Sequence, residues 1–331
     1  MLPVLDTVRV LRLTKEGHLQ RWLGPALRGL VGHFFKADVC RHSQAEQREI
    51  WTHCRGCPYM RECPYGQTLE PDPPLEADVF KGQEEAAKPV VISPVMLDEP
   101  WADVDSEIPV RVTFVGHSAI AHAEAFWDSM ASAGNDPKRG LGLDHVTFET
   151  LDDPDELGGY PPAHQSFVDV PLSPSAMTGT IPFLKVEMIS PLILKTKNTQ
   201  GKKQLVQKPK FSDLLSGCLR TVGQLFALYD ERLPAAFPDL KVWSTEVKTY
   251  KAGFLGFQQR RWSNRQEQGG MLRGIVGSVI YRDVPLSLVR WVYWGGRLHV
   301  GGQRVSGAGG WHLSWSEERR MVQQELWHEF Y

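Results

Sequence analysis

The order of strand-like and helix-like patterns in the second half of this 331-residue chain restricts its fold more than any other feature. Six segments have, in turn, the apolar spacing of a strand, a helix, two strands, a helix and a strand, at 183–190, 212–229, 240–250, 274–283, 285–296 and 297–313. Ser212 is suited to cap the first helix, and Pro285 is suited to begin the second. The order β-α-β-β-α-β predicts a ferredoxin-like domain.

The first half of the chain repeats this order less clearly. Strand, helix, strand, helix and strand patterns lie at 7–13, 24–36, 108–116, 119–134 and 141–151. The strand that is missing from the series is expected near 67–70 or near 88–94. The predicted fold class is therefore α+β, with tandem ferredoxin-like (RRM-like) domains at 1–165 and 166–331.

The charges are nearly balanced, with 37 Lys and Arg against 39 Asp and Glu, so net basicity gives no argument for a nucleic-acid partner. Their distribution is uneven: residues 188–212 contain six lysines and no acidic residue, whereas 70–107, expected to be a loop, is acidic. No apolar run approaches the roughly 18 residues of a membrane span, and the N-terminus lacks the basic start of a signal peptide. A cytoplasmic protein is expected.

Glycine is concentrated near the end of the chain, in the stretch RLHVGGQRVSGAGGWHL at 297–313. It contains five glycines between Gly301 and Gly310, with Arg304 among them. Glycine lets other groups approach the backbone closely, and exposed backbone N–H groups bind phosphate well. The stretch is neither a Walker motif nor a dinucleotide fingerprint. It predicts contact with a phosphate backbone, or a loop that only turns a corner.

Four segments spread over both halves share one resemblance: LRGLVGHFFKADVC at 27–40, CRGCPYMRECPYG at 54–66, SNRQEQGGMLRGIVGSVIY at 263–281 and the glycine-rich stretch. Together they resemble the repeat-RNA (pre-crRNA) processing endoribonucleases of the CRISPR-associated RAMP superfamily, the Cas6 family. Gly302 and Gln303 stand where that family commonly has a lysine. The resemblance implies tandem ferredoxin-like domains, CRISPR repeat RNA as the partner and contact with other effector subunits.

The resemblance also implies a reaction, in which a 2′-hydroxyl attacks the adjacent phosphate without a metal and mature guide RNA is released. A histidine suits the role of general base, because its pKa lies near neutral pH. The family's histidine lies in or after the first helix, so His33 is the first candidate and His42 the second. His33 lies with Lys36 on one predicted helix face, and Lys36, Tyr59 and Tyr65 are the supporting candidates.

RNA contacts are expected from three sets of residues. Glycine backbone and arginine side chains contact phosphate, and lysines supply long-range attraction. The candidates are Gly301, Gly302, Arg304, Gly307 and Gly309 in the glycine-rich stretch, Arg260, Arg261 and Arg265 beside Trp262, and Lys195, Lys197, Lys202 and Lys203 in the lysine tract. The alternatives are a charged strand end with Trp262 in the core and a solvated lysine loop.

Four of the five cysteines, Cys40, Cys54, Cys57 and Cys63, are clustered in a predicted insertion at about 40–66. In a cytosolic chain such clustering indicates a metal rather than disulfides. Four thiolates suit structural zinc, with His42 or His53 as substitute ligands. An iron–sulfur cluster or unliganded thiols remain open, and Cys218 is expected in the core.

Three functions are consistent with these residues. The first is the processing endoribonuclease, and the second is a non-catalytic crRNA-binding subunit of a CRISPR effector complex. The third is a zinc-stabilised assembly protein whose glycine loops only turn corners.

Overall fold

The computed structural model describes residues 2–43, 46, 54, 56–72, 87–152, 164–166, 179–197, 199–229, 237–263, 268–325 and 327–329. The elements of the first half are β1 (Pro3–Leu13), β2 (Gly17–His18), α1 (Gly24–Val39), α2 (Pro64–Thr68), β3 (Val90–Pro94), β4 (Trp101–Ala102), β5 (Glu107–Val115), α3 (His117–Ile120), α4 (Ala123–Gly134), β6 (Phe148–Asp152) and β7 (His164–Ser166).

These elements form an antiparallel sheet in the order β3-β5-β1-β6, with β7 also paired to β1. This is the strand order of a ferredoxin-like domain. α1 and α4 pack together over the sheet: the ring of Phe126 in α4 lies 5.5 Å from that of Phe35 in α1 and 5.5 Å from that of Phe114 in β5. All three rings are buried, and so they join both helices to the strands in one core.

The second half repeats the arrangement. Its elements are β8 (Thr180–Met188), β9 (Lys195–Lys197), β10 (Lys203–Leu205), α5 (Phe211–Leu228), α6 (Phe237–Ser244), β11 (Lys248–Ser263), β12 (Gln268–Pro285), α7 (Leu286–Leu298), a 3₁₀ turn (Arg304–Ser306), β13 (Trp311–Ser316), α8 (Arg319–Gln323) and β14 (His328–Glu329). The main sheet has the order β11-β12-β8-β13-β14, so its first four strands again follow the ferredoxin-like order. No helix in the described ranges is long and apolar enough to cross a membrane.

The two domains are joined by an apolar cluster that includes residues from both. The indole of Trp22 meets the ring of Phe257 edge-on at 6.1 Å. The side chain of Gln259 holds the same segment, because its Oε1 accepts from the Trp22 N–H at 3.2 Å and its Nε2 donates to the Trp22 carbonyl at 2.8 Å. The long β11–β12 hairpin is thereby fixed against the start of α1.

Buried polar contacts also cross between the domains. Arg297 of α7 forms an ion pair with Asp6 of β1, and Thr113 donates a hydrogen bond to the other oxygen of Asp6 at 2.6 Å. Arg111 of β5 lies 3.4 Å from Nε2 of His299, whose Nδ1 lies 3.3 Å from the carbonyl of Ala308. Since a guanidinium can only donate, the network assigns the proton of the imidazole to Nδ1.

The structure confirms the α+β fold class and decides where several of the expected strands lie. The pattern at 240–250 does not form a strand at its start, because Phe237–Ser244 is a helix and β11 begins only at Lys248. Residues 67 and 68 are the last two of a short helix, and the missing strand is Val90–Pro94, at the second of the two expected positions. The strand expected at 141–151 begins only at Phe148. The buried side chain of Leu240 packs into the core and favours the helix over local strand propensity.

Candidate active site and RNA-binding surfaces

Three of the side chains that follow α1 meet on the surface. The ring of His42 lies 5.4 Å from that of Tyr59, tilted by 54°. The guanidinium carbon of Arg41 lies 5.4 Å from the same ring, and its Nη1 donates to Oε2 of Glu62 at 3.0 Å. Tyr59 is 40% exposed, so the group is open to a large ligand. An imidazole, a phenol and a guanidinium suit a site for proton transfer next to a phosphate.

This group is held by the end of a helix and by a series of tight turns. α1 ends at Val39, and the next residue, Cys40, is extended, which turns the chain toward the surface. The later segment is compact, because the N–H of Cys63 donates to the carbonyl of Tyr59 at 2.8 Å. Gly66 packs on this turn so closely that a Cβ there would lie 2.2 Å from the carbonyl oxygen of Met60. The turn therefore requires glycine at this position.

His42 also contacts a cysteine. Its Nε2 lies 3.3 Å from the Sγ of Cys57. Cys57 and His42 are both half-buried. The imidazole contacts the sulfur on one side and the ring of Tyr59 on another. His42, the second candidate for the general base, is therefore a histidine that lies beside Tyr59.

His33 and Lys36 are positioned differently. His33 is exposed on α1, and its ring meets that of Phe34 edge-on at 5.5 Å. The ammonium of Lys36 lies 5.7 Å from the ring of Tyr65, which is buried. Burial raises the pKa of Tyr65 to about 12, so its phenol stays protonated at neutral pH. Lys36 thus packs beneath the cysteine segment, and a catalytic role for either residue stays a prediction.

The four clustered cysteines are free thiols. Cys54 and Cys63 are buried and Cys40 and Cys57 half-buried. Burial and the nearby carboxylate of Glu70 raise the pKa of Cys54 to about 12, which favours the protonated thiol. Within the described ranges, no three Cys, His, Asp or Glu side chains are placed to hold a metal together. This arrangement does not fit the tetrahedral zinc site, which stays a prediction. Cys218 is buried among apolar residues, as expected.

The glycine-rich stretch is packed mostly inside the protein. Gly301 and Gly302 are exposed, whereas Gly307 and Gly309 are buried. Gly307 has a φ of +79°, and a Cβ on it would lie 2.3 Å from the carbonyl oxygen of Ile92, in the other domain. The close approach expected from the glycines is thus made by the protein's own backbone. RNA contact at Gly307 and Gly309 stays a prediction that their burial does not favour.

Arg304, expected to face RNA, lies in the interior with 7% of its surface exposed. Its Nη1 donates to the carbonyl of Lys88, while its Nε and Nη2 are buried without a hydrogen-bond partner in the described structure. Burial lowers its pKa to about 9. This placement indicates that Arg304 joins the domains, and a direct RNA contact by Arg304 stays a prediction.

The remaining basic candidates lie on two hairpins. Lys195, Lys202 and Lys203 are exposed on or beside the β9–β10 hairpin, where Lys203 pairs with Lys197. On the β11–β12 hairpin Arg260 is exposed and Arg261 is half-buried. Arg265, as well as the side chains of Lys197 and Trp262, lies outside the described residues. The described side chains form basic surfaces that a polyanion can reach.

Arg41 and Glu62 are the residues of this site that the sequence patterns did not single out. Both are exposed and charged, which is typical of solvated surface, and they are 21 positions apart. One signal was available: Arg41 directly precedes His42, and Glu62 follows Tyr59 by three positions, one helical turn.

Comparison with known proteins supports the fold and the resemblance. Residues 186–311 match the family model described as CRISPR-associated endoribonuclease Cas6, and residues 2–154 match a model described as an N-terminal domain. A Thermus thermophilus Cas6 in a product complex is 13% identical with a TM-score of 0.53, over 93% of this chain and 98% of that one. A partial Cas6-RT-Cas1–Cas2 complex is 12% identical with a TM-score of 0.56, over 96% of this chain and 46% of that chain. No curated protein sequence matches. The tandem ferredoxin-like fold and the resemblance to Cas6 proteins are confirmed.

Proposed function

We propose that this chain, whose residues 186–311 belong to the CRISPR-associated endoribonuclease Cas6 family, binds CRISPR repeat RNA and cuts it to release guide RNA. The observation that carries the proposal is the contact between His42 and Tyr59, on an open surface next to Arg41. The site combines an imidazole, which can act as a general base, with groups that donate hydrogen bonds to phosphate.

In the proposed reaction His42 removes the proton of a ribose 2′-hydroxyl. The 2′-oxygen forms a bond to the adjacent phosphorus, and the bond from phosphorus to the 5′-oxygen of the next nucleotide breaks. That oxygen takes up a proton from water and His42 returns its proton to the solvent, so the products are a 2′,3′-cyclic phosphate and a 5′-hydroxyl. The hydroxyl of Tyr59 donates to a non-bridging phosphate oxygen. No step of this proposal uses a metal, since His42 supplies the base and Tyr59 the hydrogen bond to the phosphate.

The basic hairpins supply the binding surface in this proposal. Lys195 and Lys203 are both exposed on one two-stranded hairpin, a placement that suits contact with a phosphate backbone. Binding of that backbone displaces bound counterions. Arg260 on the β11–β12 hairpin extends the surface, and the exposed Gly301 and Gly302 offer backbone N–H groups.

The test is cleavage of labelled repeat RNA by the full chain, with and without EDTA. A second substrate carries a single 2′-deoxy nucleotide at the cut. We expect cleavage that survives EDTA and is lost with the deoxy substrate. Bound but uncut RNA would instead favour the non-catalytic subunit.

Two histidine variants identify the base. His42→Ala is expected to lower the cleavage rate by about 100-fold or more and to leave affinity for the deoxy substrate unchanged. His33→Ala, from the exposed face of α1, is the matched control and is expected to cut at the normal rate. Loss of cleavage in His33→Ala alone would identify His33, on α1, as the base.

A further inference from the structure

We propose that Arg41 is a catalytic residue that binds the scissile phosphate and stabilises the negative charge that develops on it. The proposal rests on the proposed function and extends it, since no comparison assigns a role to this arginine. It follows from the position of Arg41 relative to Tyr59 and Glu62.

Two contacts fix the guanidinium at the edge of the site. Its carbon lies 5.4 Å from the centre of the Tyr59 ring, which also lies 5.4 Å from the ring of His42. The carboxylate of Glu62 holds Nη1 at 3.0 Å. Tyr59 therefore has the proposed base and a cation both within contact range, and Arg41 precedes His42 directly along the chain.

The chemistry of the reaction calls for a cation at this place. Attack by the 2′-oxygen places additional negative charge on the non-bridging phosphate oxygens. A guanidinium presents five N–H donors in a planar fork, remains charged at working pH and matches the spacing of two phosphate oxygens. One contact to Glu62 leaves further donors in the fork for the phosphate.

Glu62 acts as a positioning residue for Arg41. The side chains of Arg41 and Glu62 are 51% and 69% exposed, so water and salt weaken their ion pair. Such a pair keeps the guanidinium in one region of the site and still allows it to bind a phosphodiester monoanion. Glu62 and Tyr59 also belong to one turn, because the N–H of Glu62 donates to the carbonyl of Tyr59 at 3.0 Å.

The first measurement is single-turnover cleavage of repeat RNA by Arg41→Ala, Arg41→Lys and Arg61→Ala in the full chain. Arg61 is exposed in the same turn, and its replacement removes the same charge from the segment. We expect Arg41→Ala to lower the rate about 100-fold, with affinity for the 2′-deoxy substrate changed less than 3-fold. Arg41→Lys should recover part of the rate, and Arg61→Ala should match the unmodified chain. Equal losses of cleavage rate in Arg41→Ala and Arg61→Ala would show that only the net positive charge of the segment matters, and would overturn the proposal.

The second measurement does not need turnover. It compares binding of two product RNAs that differ only in their ends, a 2′,3′-cyclic phosphate or a 3′-hydroxyl. The unmodified chain should prefer the phosphate end, and Arg41→Ala should lose that preference, whereas His42→Ala and Arg61→Ala should keep it.

The two measurements distinguish failure of the inference from failure of the proposed function. If the protein does not cut RNA but Arg41→Ala abolishes its preference for the phosphate end, the proposed cleavage activity is refuted and the phosphate site is retained. A chain that cuts RNA with an unchanged end preference in Arg41→Ala would refute the site and retain the enzyme.

Discussion

Arg297 and Asp6 form a buried ion pair that connects the last long helix to the first strand, across the boundary between the two domains. Only 14% and 3% of their side-chain surfaces are exposed. Removing one partner of such a pair leaves an uncompensated buried charge. We expect Asp6→Asn to lower the free energy of unfolding by about 3–5 kcal/mol, as measured by chemical denaturation.

A matched control is the pair between Arg9 and Glu124, in which Glu124 is 79% exposed. Glu124→Gln removes a carboxylate from the same domain, and we expect a loss of less than about 1 kcal/mol. Similar losses for both variants would contradict a structural role for the buried pair.

Gly24 and Gly29 of α1 provide a second stability test. A Cβ on Gly24 would lie 1.7 Å from the carbonyl oxygen of Ser306 in the other domain, whereas one on Gly29 would have no atom within 4 Å. We expect Gly24→Ala to destabilise the protein by about 2–4 kcal/mol through overpacking. Gly29→Ala should stabilise it by about 0.5–1 kcal/mol, because alanine favours the helix. Thermal unfolding of both variants measures the difference, and equal effects would refute the close contact.

The stability of the protein should depend on pH through His299. Burial, together with the charges of Arg111 and Arg304, holds the pKa of His299 well below 6.5. The unfolded chain therefore binds a proton below about pH 6.5 that the folded protein does not, so the free energy of unfolding should fall as pH decreases from 7 to 5. The slope from this group approaches about 1.4 kcal/mol per pH unit.

Replacing the imidazole removes this contribution. His299→Asn keeps a polar side chain that tolerates the φ of +58° at this position, and its unfolding free energy should change less between pH 7 and 5. His117→Gln changes an exposed histidine and should retain the original slope. An unchanged slope in His299→Asn would show that other groups cause the dependence.

Salt dependence of RNA binding should separate surface lysines from the buried arginine. Lys203→Ala removes an exposed charge, so we expect the slope of log affinity against log salt to decrease in magnitude by about 1. Arg304→Met removes a buried charge and should leave that slope unchanged while altering stability. Filter binding at several salt concentrations gives both slopes. A smaller slope in Arg304→Met would establish that this guanidinium reaches the RNA.

Much of the fold could be predicted from the sequence because apolar periodicity reports burial directly. Leu215, Leu219, Val222 and Phe226 recur at helical spacing, and all four are buried in α5. The prediction of a strand at 240–250 was wrong at its start, because burial of Leu240 in the core favours a helix there. Periodicity within one segment carries no information about such a neighbour.

The candidate site was less accessible from sequence, because it depends on contacts between distant positions. His42 and Tyr59 were both identified by type and resemblance, yet their contact arises only when the chain turns back after Cys40. Arg304 is a different case, since an arginine among glycines suggests an RNA contact when it is considered alone. Only the packing of the second domain against Lys88 shows that this arginine is enclosed.

Helix α1 connects the boundary between the two domains to the candidate site. It begins at Gly24, pressed against Ser306, and ends immediately before Cys40, Arg41 and His42. Its 16 residues make a lever about 24 Å long. A tilt of ~1° at the pivot would move the far end by ~0.4 Å, a displacement that matters for proton transfer. A change in the alignment of the two domains would therefore also change the position of the proposed base.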